Sequence, residues 1–398
     1  MNLRINTVKV LFLLSIGFDR QTTSGHLLCA VIKRICEDGH SVHILQKNTS
    51  GSLPLIPDCL RAYGVTTEAI PFKAVKKSNF IARYTTELKY YICCIRQIKP
   101  EYKYVFIQST PVGGIAVWAV RKKIPNSVIT FNVQDIFPYN LLYSGHIKNN
   151  SLAFKLLSAI QRYGYRHSNH IITISEDMKN LLIEDGVPKE NISVIYNWSY
   201  QDAPYENLDN SQVFNMFSSS YFNVVYAGNI GVMQNVDVII EVANMMKDEE
   251  HIRFHIIGDG VYKERLVAKT RDYGLNNTSF YPLQPSSFAP VIYSMADVNI
   301  IPLAKGVYRT ALPSKTATCL ACGKPIIFAI GRESVFGRKA ELEAACYLFD
   351  SDDVKGISKK IKDISEKKFL GSNFSYFIEN FSLSKNSKKY EEIIIKKE

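Results

Sequence analysis

The sequence predicts an α/β fold with two doubly wound parallel sheets in tandem. Three observations predict it. Continuous apolar runs alternate with segments of helical spacing, as strands covered on both faces alternate with helices. The opening pattern of strand, Gly-containing loop, helix and strand returns at Phe222. A polar, aperiodic stretch from Ser199 to Tyr221 separates the two halves and has the composition of a linker. Such sheets are Rossmann-like, and they bind ligands in the crevice outside the carboxyl ends of their strands. With two domains facing each other, that crevice would become an interdomain cleft.

The elements follow in order. Val8 to Leu14 is a buried first strand, and the apolar run that continues to Phe18 ends at Asp19-Arg20. That run is too short for a membrane span and lacks the small-residue cleavage site of a signal peptide. After Ser24-Gly25, the residues Leu28, Val31, Ile32 and Ile35 recur at helical spacing, with Gly39 as the stop. Further strands are expected at Ser41–Leu45, Tyr104–Gln108, Val128–Val133, His170–Ile174 and Ser193–Tyr196. A helix should start at Glu176, capped by Ser175, and end at Gly186 before Pro188. In the second half, Phe222–Tyr226 and Arg253–Ile257 read as strands, followed by Gly228-Asn229-Ile230-Gly231 and Gly258-Asp259-Gly260 as turns. Val236, Ile239, Ile240, Ala243 and Met246 lie at helical spacing between them. Domain boundaries are expected at 1–200 and 221–379, with a linker over 201–220. A terminal amphipathic helix over about 380–398 is expected to pack back on the first domain. Its apolar points, Tyr390 and Ile393 to Ile395, suit equally a loosely packed surface helix or a membrane contact.

The 398 residues are enough for two sizeable cores, and 46% apolar with 21% charged usage excludes a disordered chain. Lys and Arg number 48 against 37 Asp and Glu, a net charge of +11 that calls for an anionic partner. The eight cysteines are too scattered for a disulfide scaffold. Cys319 and Cys322 match a redox spacing, but nothing adds a metal-ligand set, and they read as small apolar helix residues.

Four segments carry polar chemistry. The turn Gly228 to Gly231 enters a helix and would offer free backbone N–H groups and a positive dipole end to a phosphate; it also reads as a tight strand-helix turn. It is not a full dinucleotide fingerprint. Arg309 and Lys315 bracket Pro313 and Ser314 at an expected helix start. Lys315 there opposes the dipole unless an anion sits between, and Arg309 would supply a planar fork for a diphosphate. The same two residues also read as solvated surface cations. Asp135 follows a strand in Gln134-Asp135-Ile136-Phe137-Pro138, a place for contacting a substrate hydroxyl or for capping the next segment. Lys148 to His170 interleaves Lys155, Arg162 and Arg166 with Phe154, Leu156, Tyr163 and Tyr165. That pattern suits a lipid-phosphate surface or a solvated face.

At these residues the sequence resembles the retaining family 4 glycosyltransferases. The resemblance lies in Phe222 through Gly231 with Gln234, in Phe254 through Gly260, in Met295-Ala-Asp-Val and in Leu312-Pro-Ser-Lys through Pro325. In the first half it lies in Gly39-His40, Gln134-Asp135-x-x-Pro138, Ile174-Ser-Glu and Val194 through Trp198. Within the family the chain looks like bacterial enzymes of the colanic-acid fucosyltransferase and O-antigen L-fucosamine transferase type. The resemblance implies a GT-B fold, with the acceptor on the first domain and a nucleotide sugar on the second. It implies no obligatory metal or other cofactor, and front-face attack with retention, leaving-group stabilisation being the main catalytic effect. Gly228, Asn229, Gly231, Gly258, Arg309, Ser314 and Lys315 would face the donor, and Gly25 would approach it from the first domain. Thr318 would lie at the donor too, and Asp135 near the donor sugar or the acceptor hydroxyl. Two Glu residues usual in the family are replaced by Thr310 and Thr318, and the basic residue usual after Gly231 is missing, Val232 and Met233 standing there.

The implied activity is transfer of a sugar, L-FucNAc or a related 6-deoxy amino sugar, from a UDP-sugar to an undecaprenyl-diphosphate-linked saccharide in O-antigen or exopolysaccharide biosynthesis. The implied place is the cytoplasmic, anionic inner face of a bacterial plasma membrane, held peripherally. A UDP-sugar epimerase of the same fold would act without acceptor lipid. The replaced Glu pair motivates a third reading, a nucleotide-binding scaffold without transfer. A nucleic-acid-binding module would need a helix-turn-helix or a stacking platform, and the sequence has neither.

Overall fold

The computed structural model describes residues 7–15, 17–18, 25–49, 56–75, 80–205, 217–367 and 371–395. The loop expected before Gly25, the turn at Asp19-Arg20 and most of the 201–220 linker lie outside the described residues. The chain divides into two compact units. One holds the residues up to Tyr196 together with the segment from Leu383; the other holds Asn197–Ser382.

The strands of the first unit are β1 (Lys9–Leu14), β2 (Ser41–Asn48), β3 (Thr66–Pro71), β4 (Tyr104–Gln108), β5 (Val128–Val133), β6 (His170–Thr173) and β7 (Ile192–Val194). They form one parallel sheet in the order β3-β2-β1-β4-β5-β6-β7. Because the order reverses between β1 and β4, the crevice at their carboxyl ends is the topological switch point. Val10 through Leu14 are buried, as the unbroken apolar run requires. Ser175 caps the helix Glu176–Glu184 by accepting the Met178 N–H at 3.2 Å, as its sequence position predicts. The helices Gly113–Lys123 and Leu152–His167 pack at two glycines: a Cβ on Gly114 would lie 1.8 Å from the Ile160 carbonyl oxygen.

The helix Leu383–Ile394 belongs to this first unit and packs on the helix Gly25–Glu37. It is neither a loosely packed surface helix nor a free apolar stripe. Tyr390 and Ile394 are buried, Asn386 donates to the Tyr196 carbonyl at 3.0 Å, and the Tyr390 hydroxyl donates to Asn132 Oδ1 at 3.0 Å.

The second unit repeats the topology. Its strands are β8 (Phe222–Asn229), β9 (Ile252–Asp259), β10 (Thr278–Tyr281), β11 (Val298–Pro302), β12 (Ile326–Ala329) and β13 (Cys346–Phe349), in the order β10-β9-β8-β11-β12-β13. All pairs are parallel, and the order reverses between β8 and β11. The core between sheet and helices is built on Val224, Phe254, Ile256 and Ile300 with Ile239 and Ile240 of the helix Asp237–Met245. Cys319 and Cys322 are buried free thiols, in accord with their apolar reading.

Candidate functional site

Strand β8 runs three residues further than its apolar run, through Gly228 and Asn229, because β9 pairs with it residue for residue: Gly228 with Gly258 and Asn229 with Asp259. That pairing needs bare backbone. Gly258 has φ +158°, and a Cβ there would lie 1.9 Å from the Gly228 carbonyl oxygen. Gly260 has φ +155° and would meet the Ile230 carbonyl oxygen at 2.3 Å. The two strand ends are then tied: Ile230 N–H donates to the Asp259 carbonyl at 2.8 Å, and Tyr262 N–H to the Ile230 carbonyl at 3.1 Å. The Lys263 ammonium donates to the Gly258 carbonyl at 3.0 Å.

The expectation that this turn leads straight into a helix is corrected. After Gly231 comes a short 3-10 turn, Val232–Gln234, and the helix begins only at Asp237. Its first turn is already occupied by an acid, Asp237, which pairs with Lys269 at 3.0 Å. An anion at Gly228–Gly231 would therefore meet loop N–H groups and side chains rather than this helix dipole.

The cation that arrives there is Lys315. It follows β11 in the chain and stands just before the helix Thr316–Ala321, not within its first turn as the sequence suggested. Its Nζ lies 3.7 Å from the centroid of the Tyr226 ring, in cation–π contact, and a Cβ on Gly228 would be 2.8 Å from it. Lys315 thus occupies the β8/β11 switch point. Burial pulls its pKa from the usual 10.5 down to about 7. Tyr226 holds the loop as well, its hydroxyl donating to the Asn229 carbonyl. Asn229 in turn donates from Nδ2 to Gln234 Oε1 at 2.8 Å.

Comparison with known proteins identifies the two units. Residues 26–198 match the family described as "Glycosyl transferase 4-like domain", and residues 210–383 match "Glycosyl transferases group 1". Between them the matches take in most of the chain. The first half of the chain thus carries a glycosyl transferase 4-like domain and the second half a group 1 glycosyltransferase domain. A relative from Escherichia coli (strain K12), WcaI, named as a colanic acid biosynthesis glycosyl transferase, is 33% identical over 174 residues, 42% of either chain. WbjE of Pseudomonas aeruginosa, named as a glycosyltransferase, is 23% identical over 246 residues, 59% of either chain. The chain therefore aligns with about half the length of these relatives. Among solved structures, Anabaena HepE in complex with UDP and glucose superposes with a TM-score of 0.71 at 14% identity, covering 97% of this chain and 98% of that one. The architecture is accordingly GT-B, with two Rossmann-like domains.

Of the residues expected at the donor, this unit brings together Gly228, Asn229, Gly231, Gly258 and Lys315. Gly231 leaves room for the Asn229–Gln234 pair: a Cβ there would be 2.7 Å from Gln234 Oε1. Ser314 is exposed beside Lys315. Arg309 ends a separate 3-10 turn, Val307–Arg309, and is half-buried. The two threonines that replace the family's acids are buried. Thr310 donates to the Val307 carbonyl at 3.0 Å, and Thr318 lies 3.5 Å from the Ser199 hydroxyl. Thr318 thus faces Ser199. Tyr226 is the residue that sequence reasoning missed. Its signal was parity: in a strand, Tyr226 and Gly228 share one face.

In the first unit, Gly25 opens the helix Gly25–Glu37. Asp135 follows β5, next to Gln134, whose N–H donates to Ser109 Oγ at 3.2 Å and whose side chain reaches the Tyr390 hydroxyl at 3.3 Å. Burial pushes the Asp135 carboxyl up to about 7. Among the described residues, no three His, Cys, Asp or Glu side chains gather as a metal-ligand set. No described helix is long and apolar enough to cross a membrane.

Proposed function

We propose that the chain transfers a glycosyl group from a UDP-sugar to a hydroxyl of a saccharide acceptor. The observation that carries this reading is the Lys315 ammonium seated on Tyr226 at the glycine-lined end of β8, within the match to the group 1 family. Breaking the bond between the anomeric carbon and the diphosphate leaves negative charge on the diphosphate. A fixed cation and loop N–H groups in a partly dry site stabilise that charge as it develops. Lys315, with a pKa near 7 when the site is empty, takes up a proton as the anion binds, because the diphosphate favours the charged form. In a retaining reaction the acceptor oxygen bonds to the face the diphosphate leaves, and the acceptor proton goes to the departing diphosphate oxygen. Asp135 would accept a hydrogen bond from the acceptor hydroxyl and orient it. No metal is then required, the diphosphate being met by Lys315 and Arg309.

UDP as the carrier is supported by HepE, solved with UDP and glucose. The name of WcaI, in colanic acid biosynthesis, supports a polysaccharide acceptor, here an undecaprenyl-diphosphate-linked saccharide. Transfer of L-FucNAc or a related 6-deoxy amino sugar rests on sequence resemblance alone. Peripheral contact with an anionic leaflet is supported by the helix Leu152–His167. Leu152 is 85% and Leu156 63% exposed on it, with Lys155, Arg162 and Arg166 on the outer side.

Thermal shifts with UDP, GDP, ADP and TDP, each with EDTA, test the donor assignment. A ligand at a hundredfold excess over Kd stabilises the native state by about 2.7 kcal/mol. A shift selective for UDP that survives EDTA is expected. Silence with every nucleotide would sink the reading. A UDP shift without transfer to any lipid-linked saccharide would favour a nucleotide-binding scaffold, which the two buried threonines suit.

A further inference from the structure

A buried asparagine in a parallel strand needs partners, because its amide is cut off from water. Asn132 is such a residue. It is the last but one of β5, set among the buried Ile129, Phe131 and Val133, and is itself buried. Its side chain finds partners in two places. Gln134, just beyond the strand, donates from Nε2 to Asn132 Oδ1 at 3.0 Å. The Tyr390 hydroxyl, on the helix Leu383–Ile394, donates to the same oxygen at 3.0 Å. Gln134 Nε2 also lies 3.3 Å from the Tyr390 oxygen, which closes a triangle. The backbone is tied as well: Gln134 N–H donates to Ser109 Oγ at 3.2 Å, and Ser109 N–H to the Asn132 carbonyl at 2.8 Å.

Packing alone does not call for this triangle. The Tyr390 ring already lies against Phe106 of β4, with ring centroids 6.4 Å apart. Apolar residues at 132 and 390 would fill the same space with no polar atoms to satisfy. What the hydroxyl adds is a grip on Gln134, and the next residue is Asp135. Asp135 is half-buried. Burial alone raises its carboxyl, and no neighbouring charge contributes. Its setting therefore depends on how closely the loop is held to the sheet.

We propose that Tyr390 is a positioning residue: through Gln134 it fixes the Asp135 carboxyl at the place where the acceptor hydroxyl must meet it. This rests on the transferase reading above. A group that orients a reacting oxygen tolerates little error, and a misplacement of about 1 Å costs about a hundredfold in rate. A fully paired buried network supplies that precision, because it rigidifies one arrangement. The terminal helix then sets the geometry of a reacting group besides covering the helix Gly25–Glu37.

The test is NMR titration of full-length protein labelled with γ-13C aspartate, the Asp135 signal being the one lost in Asp135→Asn. Tyr390→Phe keeps the ring on Phe106 and deletes the hydroxyl. The wild-type carboxyl should titrate at about 7. In Tyr390→Phe it should lose about tenfold in proton affinity, as water reaches the loosened loop. Gln134→Leu, at the other end of the contact, should do the same. The double variant should lose no more than either, because the two residues act as one unit. Ile394→Val trims a buried side chain on the same helix; it should melt slightly earlier and leave the titration unchanged. An unshifted Asp135 in Tyr390→Phe overturns the proposal. So do additive losses in the double variant, an equal loss in Ile394→Val, or a wild-type Asp135 that titrates as an ordinary carboxylate. UDP thermal shifts on the same proteins separate the two readings. A UDP shift with an Asp135 that ignores Tyr390 removes the positioning role and leaves the transferase reading. An Asp135 that depends on Tyr390, with no nucleotide shift, removes the transferase reading and leaves the coupling.

Discussion

The two units share one topology and differ in what stands at the place where strand order reverses. In the first, β1 and β4 end in Leu14 and Gln108, and the buried side chain on the helix above them is an acid, Glu87. In the second, β8 and β11 end beside Lys315, and the neighbouring backbone is stripped to glycine at 228, 258 and 260. One end is lined by side chains that accept hydrogen bonds, the other by loop N–H groups and a cation. The difference teaches that the doubly wound sheet supplies only a location. The sign of the ligand is set by the handful of residues that follow the strands.

The largest effect should come from filling the bare backbone. In Gly258→Ala the new Cβ would strike the Gly228 carbonyl at 1.9 Å, and φ +158° is poorly tolerated by alanine. Strain and overpacking together predict a loss of about 3 kcal/mol in urea unfolding, with UDP binding gone. A loss under about 1 kcal/mol would mean that β8 and β9 can part cheaply. The glycines would then say nothing about an anion.

The next effect tests the acidic side. Asp135→Asn should lower kcat about a hundredfold, as removal of a general-base or orienting group does. The pH profile gives the sharper test. The wild-type Asp135 carboxyl, raised to about 7, is ionised only above that pH, so kcat/KM should climb with pH up to about 7. Lys315, lowered to about 7, is charged only below it, so kcat/KM should fall at higher pH. Two units, burying opposite charges, give one bell with both limbs near neutrality. Asp135→Asn should erase the rising limb only. A profile that keeps both limbs in that variant would remove Asp135 from the reaction.

How much of this was legible in the sequence follows from what each feature depends on. Strands such as Tyr104–Gln108 and Val128–Val133 lie where their apolar runs lie, because a strand buried on both faces has no polar residue to blur its ends. The end of β8 was misplaced because Gly228 and Asn229 carry no apolar signal; their strand state comes from pairing with Gly258 and Asp259. Lys315 was legible from its Pro-Ser-Lys setting, but its seat on Tyr226 was not, since the two are far apart in the chain. The same holds for Glu87. On a helix wheel it is one more polar residue, and only the fold puts Thr110 against it.

Removing the cation should cost less than removing Asp135. Lys315→Met keeps the aliphatic stem on Tyr226 and should weaken UDP binding about thirtyfold, the worth of a charge-assisted contact. Titration calorimetry across pH 6.5 to 9, a window bracketing the value of about 7, carries the sign. Wild-type affinity should fall as pH rises through about 7, because binding then requires uptake of a proton. The methionine variant should bind weakly with no such slope. A slope retained in the variant would place the titrating group elsewhere.

The smallest effect isolates the phenol from the ring. Tyr226→Phe leaves the aromatic face on which Lys315 rests and deletes only the hydroxyl that donates to the Asn229 carbonyl. The cation should keep its place, so the pH slope of UDP binding should be unchanged. The Asn229 carbonyl, left without its donor, should loosen the loop and cost about 1 kcal/mol in stability. UDP affinity should fall only a few-fold, because the loop N–H groups must be ordered again on binding. If Tyr226→Phe instead flattened the pH slope as Lys315→Met does, the hydroxyl rather than the ring would govern Lys315. The anion site would then depend on a hydrogen bond as well as on the glycine-lined backbone.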